Sequence, residues 1–225
     1  MKLKMLELVP KDIKFIVGAE ISSTYRNQEY HITAYNCNPD NNKLKETCQY
    51  NIKQKEDYNR IIVEDVKKIV KLEDISDYYS YQYDKKRGGW TSLNYLIDKK
   101  VVGNMKEYFE IISASDKKLV FKEPLEAIRS IKESGGYPFL AHPAAYLKGE
   151  KLPKDILDEW KDFGICGIEC YSPYLNNIED AEYYVNYCRE NNLMISAGSD
   201  CHGSFSDRQI GIPRVRLSEI RLDFI

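Results

Sequence analysis

The 225-residue chain is poor in histidine, methionine and tryptophan, with only 3, 4 and 2 of them. It also lacks an excess of charge of either sign: 33 basic side chains stand against 35 acidic ones, a formal net charge of -2. That balance offers no electrostatic footprint for duplex nucleic acid or an anionic membrane. No apolar run approaches the ~20 residues that a membrane-spanning helix needs. The first ten residues begin with charge but hold no long apolar stretch, which argues against a secretory signal. They read as the tail of a helix ended by Pro10. None of the six cysteines forms a Cys-x-x-Cys pair. Reduced thiols in a cytoplasmic protein are the simplest reading, and a disulfide scaffold is not expected at this size.

What remains is ordinary for a globular protein: 43% hydrophobic and 30% charged residues. The length suffices for one sizeable domain or two small ones. Ile13 to Val17 is a short apolar run closed by Gly18, so a buried strand is expected there. Tyr30 to Tyr35 reads as a second strand, with the polar Arg26-Asn27-Gln28 as a hairpin turn. From Pro39 to Ser113 the periodicity turns helical. Ile61, Ile62, Val66, Ile69 and Val70 share one face, Leu93, Leu96 and Ile97 mark another helix, and Tyr108, Phe109, Ile111 and Ile112 a third. This stretch reads as a helical insertion subdomain, residues 39–113, within a domain made of 1–38 and 114–225.

After the insertion, strands and helices alternate. Pro124 to Ser134 is a helix with Leu125, Ile128 and Ile131 inward and Gly135-Gly136 as its stop. Tyr137 to Ala141 is a strand, Asp155 to Phe163 a helix stopped by Gly164, and Cys166 to Tyr171 a strand. Ile178 to Asn191 is a helix and Leu193 to Ala197 a strand. Such alternation means parallel strands with crossover helices. In such folds the carboxyl ends of the strands carry the active site.

All three histidines, His31, His142 and His202, fall in or at the end of expected strands. Glu20 follows Gly18-Ala19, and Asp200 stands two residues before His202. Imidazole plus carboxylate is the ligand set of Zn, Mn or Fe. A bridging carboxylate such as Glu20 suits two metals about 3.5–4 Å apart, the arrangement used for phosphoester hydrolysis. One histidine in a strand is more often a core or surface residue. Three at strand ends, two of them next to special loop residues, favour ligands, and with Glu20 and Asp200 they could face one barrel mouth; Glu20 alone also reads as a solvated strand terminus.

Five segments carry a resemblance. They are Gly18-Ala19-Glu20-Ile21-Ser22, Tyr30-His31-Ile32-Thr33-Ala34-Tyr35, Gly135 through Pro143 (Gly-Gly-Tyr-Pro-Phe-Leu-Ala-His-Pro), Gly167-Ile168-Glu169-Cys170-Tyr171, and Gly198-Ser199-Asp200-Cys201-His202-Gly203. Their order and spacing resemble the PHP (polymerase and histidinol phosphatase) domain family, and within it the stand-alone metal-dependent phosphoesterases. The resemblance implies a distorted (β/α)7 TIM-like barrel with a helical insertion and up to three divalent metal ions, Mn, Fe or Zn. It implies that Glu20 bridges metals, that His31 and His142 bind one ion, and that Asp200 and His202 are the last-strand ligands. Catalysis would fall to Asp200, His202 and Glu20. The substrate would be a small phosphorylated metabolite or nucleotide, its phosphorus attacked by metal-activated hydroxide.

Two departures accompany it. The family begins with a His-x-His strand and a Thr-Asp-His strand, and no histidine precedes His31. Without the insertion about 155 residues remain, five units of about 30, where a closed barrel needs seven or eight. The barrel is therefore expected to be incomplete at its N-terminus. Met1 is then an internal methionine of a longer gene or the start of a decayed copy. Open barrel edges would invite self-association. Many relatives carry Gly-Arg-Pro-His where this chain has Gly88-Gly89-Trp90-Thr91. Trp90 and Thr91 remain candidates for lining the substrate pocket, and Arg208 for contacting phosphate. Glu169 reads either as support for the site or as a buried carboxylate bonded to nearby backbone, with the second favoured. The competing functions are a non-catalytic metal-binding remnant and a hydrolase of amidohydrolase type.

Overall fold

Arg26 and Asn27 both take left-handed backbone conformations, with φ of 49° and 63°. Two consecutive residues of this kind make the tight turn whose twist matches antiparallel strands. In the computed structural model, which describes residues 15–70, 72, 74–177, 179–202 and 208–225, this turn joins β1 (Gly18–Tyr25) to β2 (Gln28–Tyr35). The register runs from Gly18 opposite Tyr35 to Tyr25 opposite Gln28. Gly18 opens β1 because a Cβ there would lie 2.8 Å from the Ala34 carbonyl oxygen. The strand expected over Ile13–Val17 is therefore displaced. Phe15–Val17 are not strand, and Ile13, like the expected helix tail before Pro10, lies outside the described residues.

β2 pairs antiparallel with β3 (Tyr137–Leu140). From there the chain alternates as expected: α5 (Lys154–Phe163) leads to β4 (Gly167–Tyr171), and α6 (Asp180–Glu190) to β5 (Met194–Ala197). β3, β4 and β5 are parallel neighbours. α5 ends at Gly164, whose φ of 98° needs no Cβ. Ahead of β3, α4 (Pro124–Glu133) starts on a proline and buries Ile128 and Ile131. Leu125, expected inward, is 47% exposed.

The sheet order is β1-β2-β3-β4-β5, which corrects the expected barrel. Among the described residues this is a single open five-stranded mixed sheet, α/β but not a closed (β/α)7 cylinder. Two antiparallel pairings place β1 at one edge, and β5 ends the other. Beside β5 stands one short antiparallel bridge, in which Ile195 and Arg221 exchange both backbone hydrogen bonds at 2.9 Å. Five strands with this pairing leave two edges that never meet, so no interior closes.

Strand alternation gives the sheet two different faces. Ile21, Ile32, Ala34, Leu140, Ile168 and Ile195 pack with residues of α4, α5 and α6, including the fully buried Trp160 and Tyr184. Burying one such aromatic side chain contributes about 3 kcal/mol. The register puts Glu20, His31, Tyr35 and Glu169 on the opposite face. Phe224 stacks there on Tyr35 and Tyr137, at ring separations of 5.8 and 4.6 Å.

The chain divides into two compact units. The first holds the sheet, with the described parts of Met1–Asn51, Phe121–Asp200 and Ile210–Ile225. The second holds Ile52–Val120 and the described part of Cys201–Gln209. α1 (Asn42–Val70) starts in the first unit. α2 (Thr91–Asp98) and α3 (Met105–Ile112) belong to the second. Its core gathers Ile62, Val66, Leu93, Leu96 and Tyr108. Ile69, Val70 and Phe109, expected on packed faces, are exposed. Among the described residues no helix is long and apolar enough to cross a membrane.

Candidate metal centre

Glu20 lies on β1 opposite Thr33, and His31 on β2 opposite Ser22. The two are diagonal neighbours on one face of the hairpin, within reach of long side chains. His142 stands two residues past the end of β3 and precedes a short 3-10 turn, Pro143–Ala145. The Ala141 N–H donates to the His31 carbonyl at 3.1 Å, which carries the β2–β3 pairing up to His142. Glu20 and His31 therefore sit inside strands, not at strand ends around a barrel mouth. Antiparallel pairing brings them together.

The three side chains form a tight triangle. Glu20 Oε1 is 2.8 Å from His31 Nδ1 and 3.1 Å from His142 Nε2, and the two nitrogens are 3.2 Å apart. Four ligands at about 2.1 Å from a tetrahedral ion stand about 3.4 Å from one another. The triangle is slightly tighter than that, and the contraction matches hydrogen bonding by protons that an ion would replace. The donor set of two imidazoles and a carboxylate suits Zn, Mn or Fe. His142 Nδ1 is buried without a hydrogen-bond partner. His31 Nε2 pairs with Glu29 Oε1 at 3.0 Å, the carboxylate–imidazole arrangement that leaves the other ring nitrogen to face an ion.

The electrostatics follow from this packing. Burial alone would push the Glu20 carboxyl up, but the hydrogen bonds and charge of His142 and His31 outweigh it and hold it far below the usual carboxylate range. Burial lowers His31, yet its bonds to Glu20 and Glu29 outweigh that and raise it to about 9. Glu169 is buried on β4, which pushes its carboxyl up to about 7. Glu20 and Asp200 add to the rise, and His142 opposes it.

Of the five ligands expected from the sequence, Glu20, His31 and His142 meet in one group. Asp200 follows β5 and accepts a hydrogen bond from the Tyr174 hydroxyl. His202 is exposed and Arg208 half-buried, and both belong to the second unit. Trp90 also belongs there. Its ring lies 5.4 Å from that of Tyr108, and Thr91 begins α2.

Sequence reasoning missed three neighbours of the site. Glu29 is two residues before His31, so strand alternation alone puts it on the same face. Tyr146 accepts from the His31 N–H at 2.8 Å and donates to the Ala141 carbonyl at 2.9 Å, tying β2 to the end of β3. Tyr174 packs its ring 5.4 Å from that of His142. No local pattern marks either tyrosine.

No family model and no curated protein matches the chain. Solved structures do. One is a protein from Bifidobacterium adolescentis provisionally assigned as a metal-dependent phosphoesterase. It has a TM-score of 0.72 and 17% identity over 94% of this chain and 75% of that one. Another is an amidohydrolase from Chromobacterium violaceum with bound sulfate and no metal. It has a TM-score of 0.70 and 20% identity over 86% of this chain and 70% of that one. At these identities the likeness establishes a shared fold, the fold of two structures assigned to hydrolases.

Proposed function

We propose that this chain is a divalent-metal phosphoesterase of PHP type, acting on a phosphomonoester of a small metabolite or nucleotide. The observation that carries it is the triangle of Glu20, His31 and His142, with donor atoms within 4.8 Å of one another. In this reading these residues hold the ion, Mn, Fe or Zn, and Asp200 adds a further carboxylate. When bound, such an ion supplies Lewis acidity at a phosphoryl oxygen and an acidified water as nucleophile. Glu29 holds the His31 ring so that Nδ1 faces the ion. Glu20 supplies negative charge between the two imidazoles and keeps their ring nitrogens aimed inward.

The test is hydrolysis of p-nitrophenyl phosphate with added Mn, together with the metal content of the purified protein. Turnover that tracks Mn and disappears in Asp200→Ala is expected. His142→Ala should lower metal content more than thermal stability. Turnover indifferent to Mn and to both substitutions would overturn the reading. A second reading, metal binding without turnover, is favoured by ligand count, since only three donors meet among the described residues.

A further inference from the structure

β4 contributes no ligand in the reading above, yet it lies between the strands that lead to His142 and Asp200. Both residues have left-handed backbones, with φ of 28° at His142 and 42° at Asp200. Non-glycine residues leave the ordinary regions only where their surroundings hold them there. Tyr174, in the loop after β4, touches both, and Glu169, on β4, lies beside His142 and Gly198. The buried Glu169 carboxyl lies within reach of the backbone N–H of His142, and its Oε1 has no hydrogen-bond partner among the described residues. It also lies beside Gly198, two residues before Asp200, where a Cβ would lie 2.5 Å from Glu169 Oε1. Tyr174 donates its hydroxyl proton to Asp200 and lays its ring against the His142 imidazole.

We propose that Glu169 and Tyr174 are positioning residues, which together hold His142 and Asp200 on the two strands flanking β4 in the conformations that face an ion. The proposal rests on the metal-centre reading of His142 and Asp200. Glu169 fixes the His142 main chain through its N–H, and Tyr174 fixes the direction of the ring and of the Asp200 carboxylate. Only glycine at 198 leaves the carboxylate room to reach across. Residues of this kind, one step from the ion, commonly change metal affinity by about 10–100-fold when removed.

The experiment uses the full chain labelled at histidine, with the imidazole resonances of His142 recorded metal-free and Mn affinity measured separately by titration. Glu169→Ala and Tyr174→Phe should each shift or broaden the His142 signals and weaken Mn binding about tenfold or more. Glu169→Gln keeps an acceptor for the His142 N–H and should restore the wild-type signals. It also serves if the alanine variant does not fold. His142 signals unchanged in both Tyr174→Phe and a folded Glu169 variant lacking the acceptor would overturn the proposal. So would a shift that Glu169→Gln fails to restore. A wild-type chain that binds no Mn overturns the metal-centre reading instead, and the metal-free imidazole signals still decide the positioning role.

Discussion

His31 Nδ1 and His142 Nε2 face each other across 3.2 Å, with Glu20 Oε1 bonded to both. Two N–H groups cannot point at one another at that distance, so at most one proton lies between the two nitrogens and any other there is directed to the carboxylate. An ion entering this space must displace protons, and the predictions begin from that competition.

Metal binding should release a proton and strengthen with pH. His31 titrates at about 9 in the metal-free protein, so near neutrality it is protonated and must lose that proton to bind. Affinity should rise about tenfold per pH unit up to pH near 9 and then level off. Calorimetric titration in buffers of different ionisation enthalpy reads the released proton directly. An affinity flat between pH 6 and 8 would contradict the assignment of His31.

The metal-free protein should become less stable as pH rises. His31 is raised from 6.5 to about 9, so its contribution is whole below pH 6.5 and lost as pH climbs through 9. Glu169 is raised from 4.5 to about 7, so folding favours its protonated form and stability falls between those values. Glu20 is lowered from 4.5, so its contribution is present above that pH and lost in acid. The optimum lies near pH 5. Because His31 and Glu20 keep solvent-facing edges, the loss from His31 is about 1–2 kcal/mol. Urea denaturation at pH 5, 7 and 9.5 measures it, and Glu169→Gln should remove the fall between 4.5 and 7.

Gly198→Ala should destabilise the fold by about 1–3 kcal/mol, because the new methyl would lie 2.5 Å from the buried Glu169 carboxylate oxygen. The double variant Gly198→Ala with Glu169→Ala should recover most of the loss. A coupling energy near zero in that cycle would show that the two residues do not press on each other.

Glu29→Ala should weaken metal binding about tenfold while barely changing the melting temperature. The same substitution removes one of the two carboxylates bonded to His31, so the His31 titration should move down from 9. An unchanged His31 titration by proton resonance would place Glu29 outside the site.

Local pattern made much of this protein legible in its sequence. Gly164 and Pro124 mark real helix boundaries. The alternation in Tyr30-His31-Ile32-Thr33-Ala34-Tyr35 separates an apolar face from one carrying His31, because strand side chains alternate whatever the strand pairs with. The donor types of Glu20, His31 and His142 are properties of the chain, whereas their meeting in one group depends on the pairing of β1, β2 and β3. Which strands pair, and in which direction, is not local. Antiparallel partners on both sides of β2 and the unclosed edges at β1 and β5 turned the expected barrel into an open sheet. Contacts between residues far apart in sequence likewise decided that Tyr146 ties His31 to Ala141, and that Tyr174 reaches Asp200 and His142. Those partners are chosen by the packing of the whole sheet, and no short stretch of sequence records them.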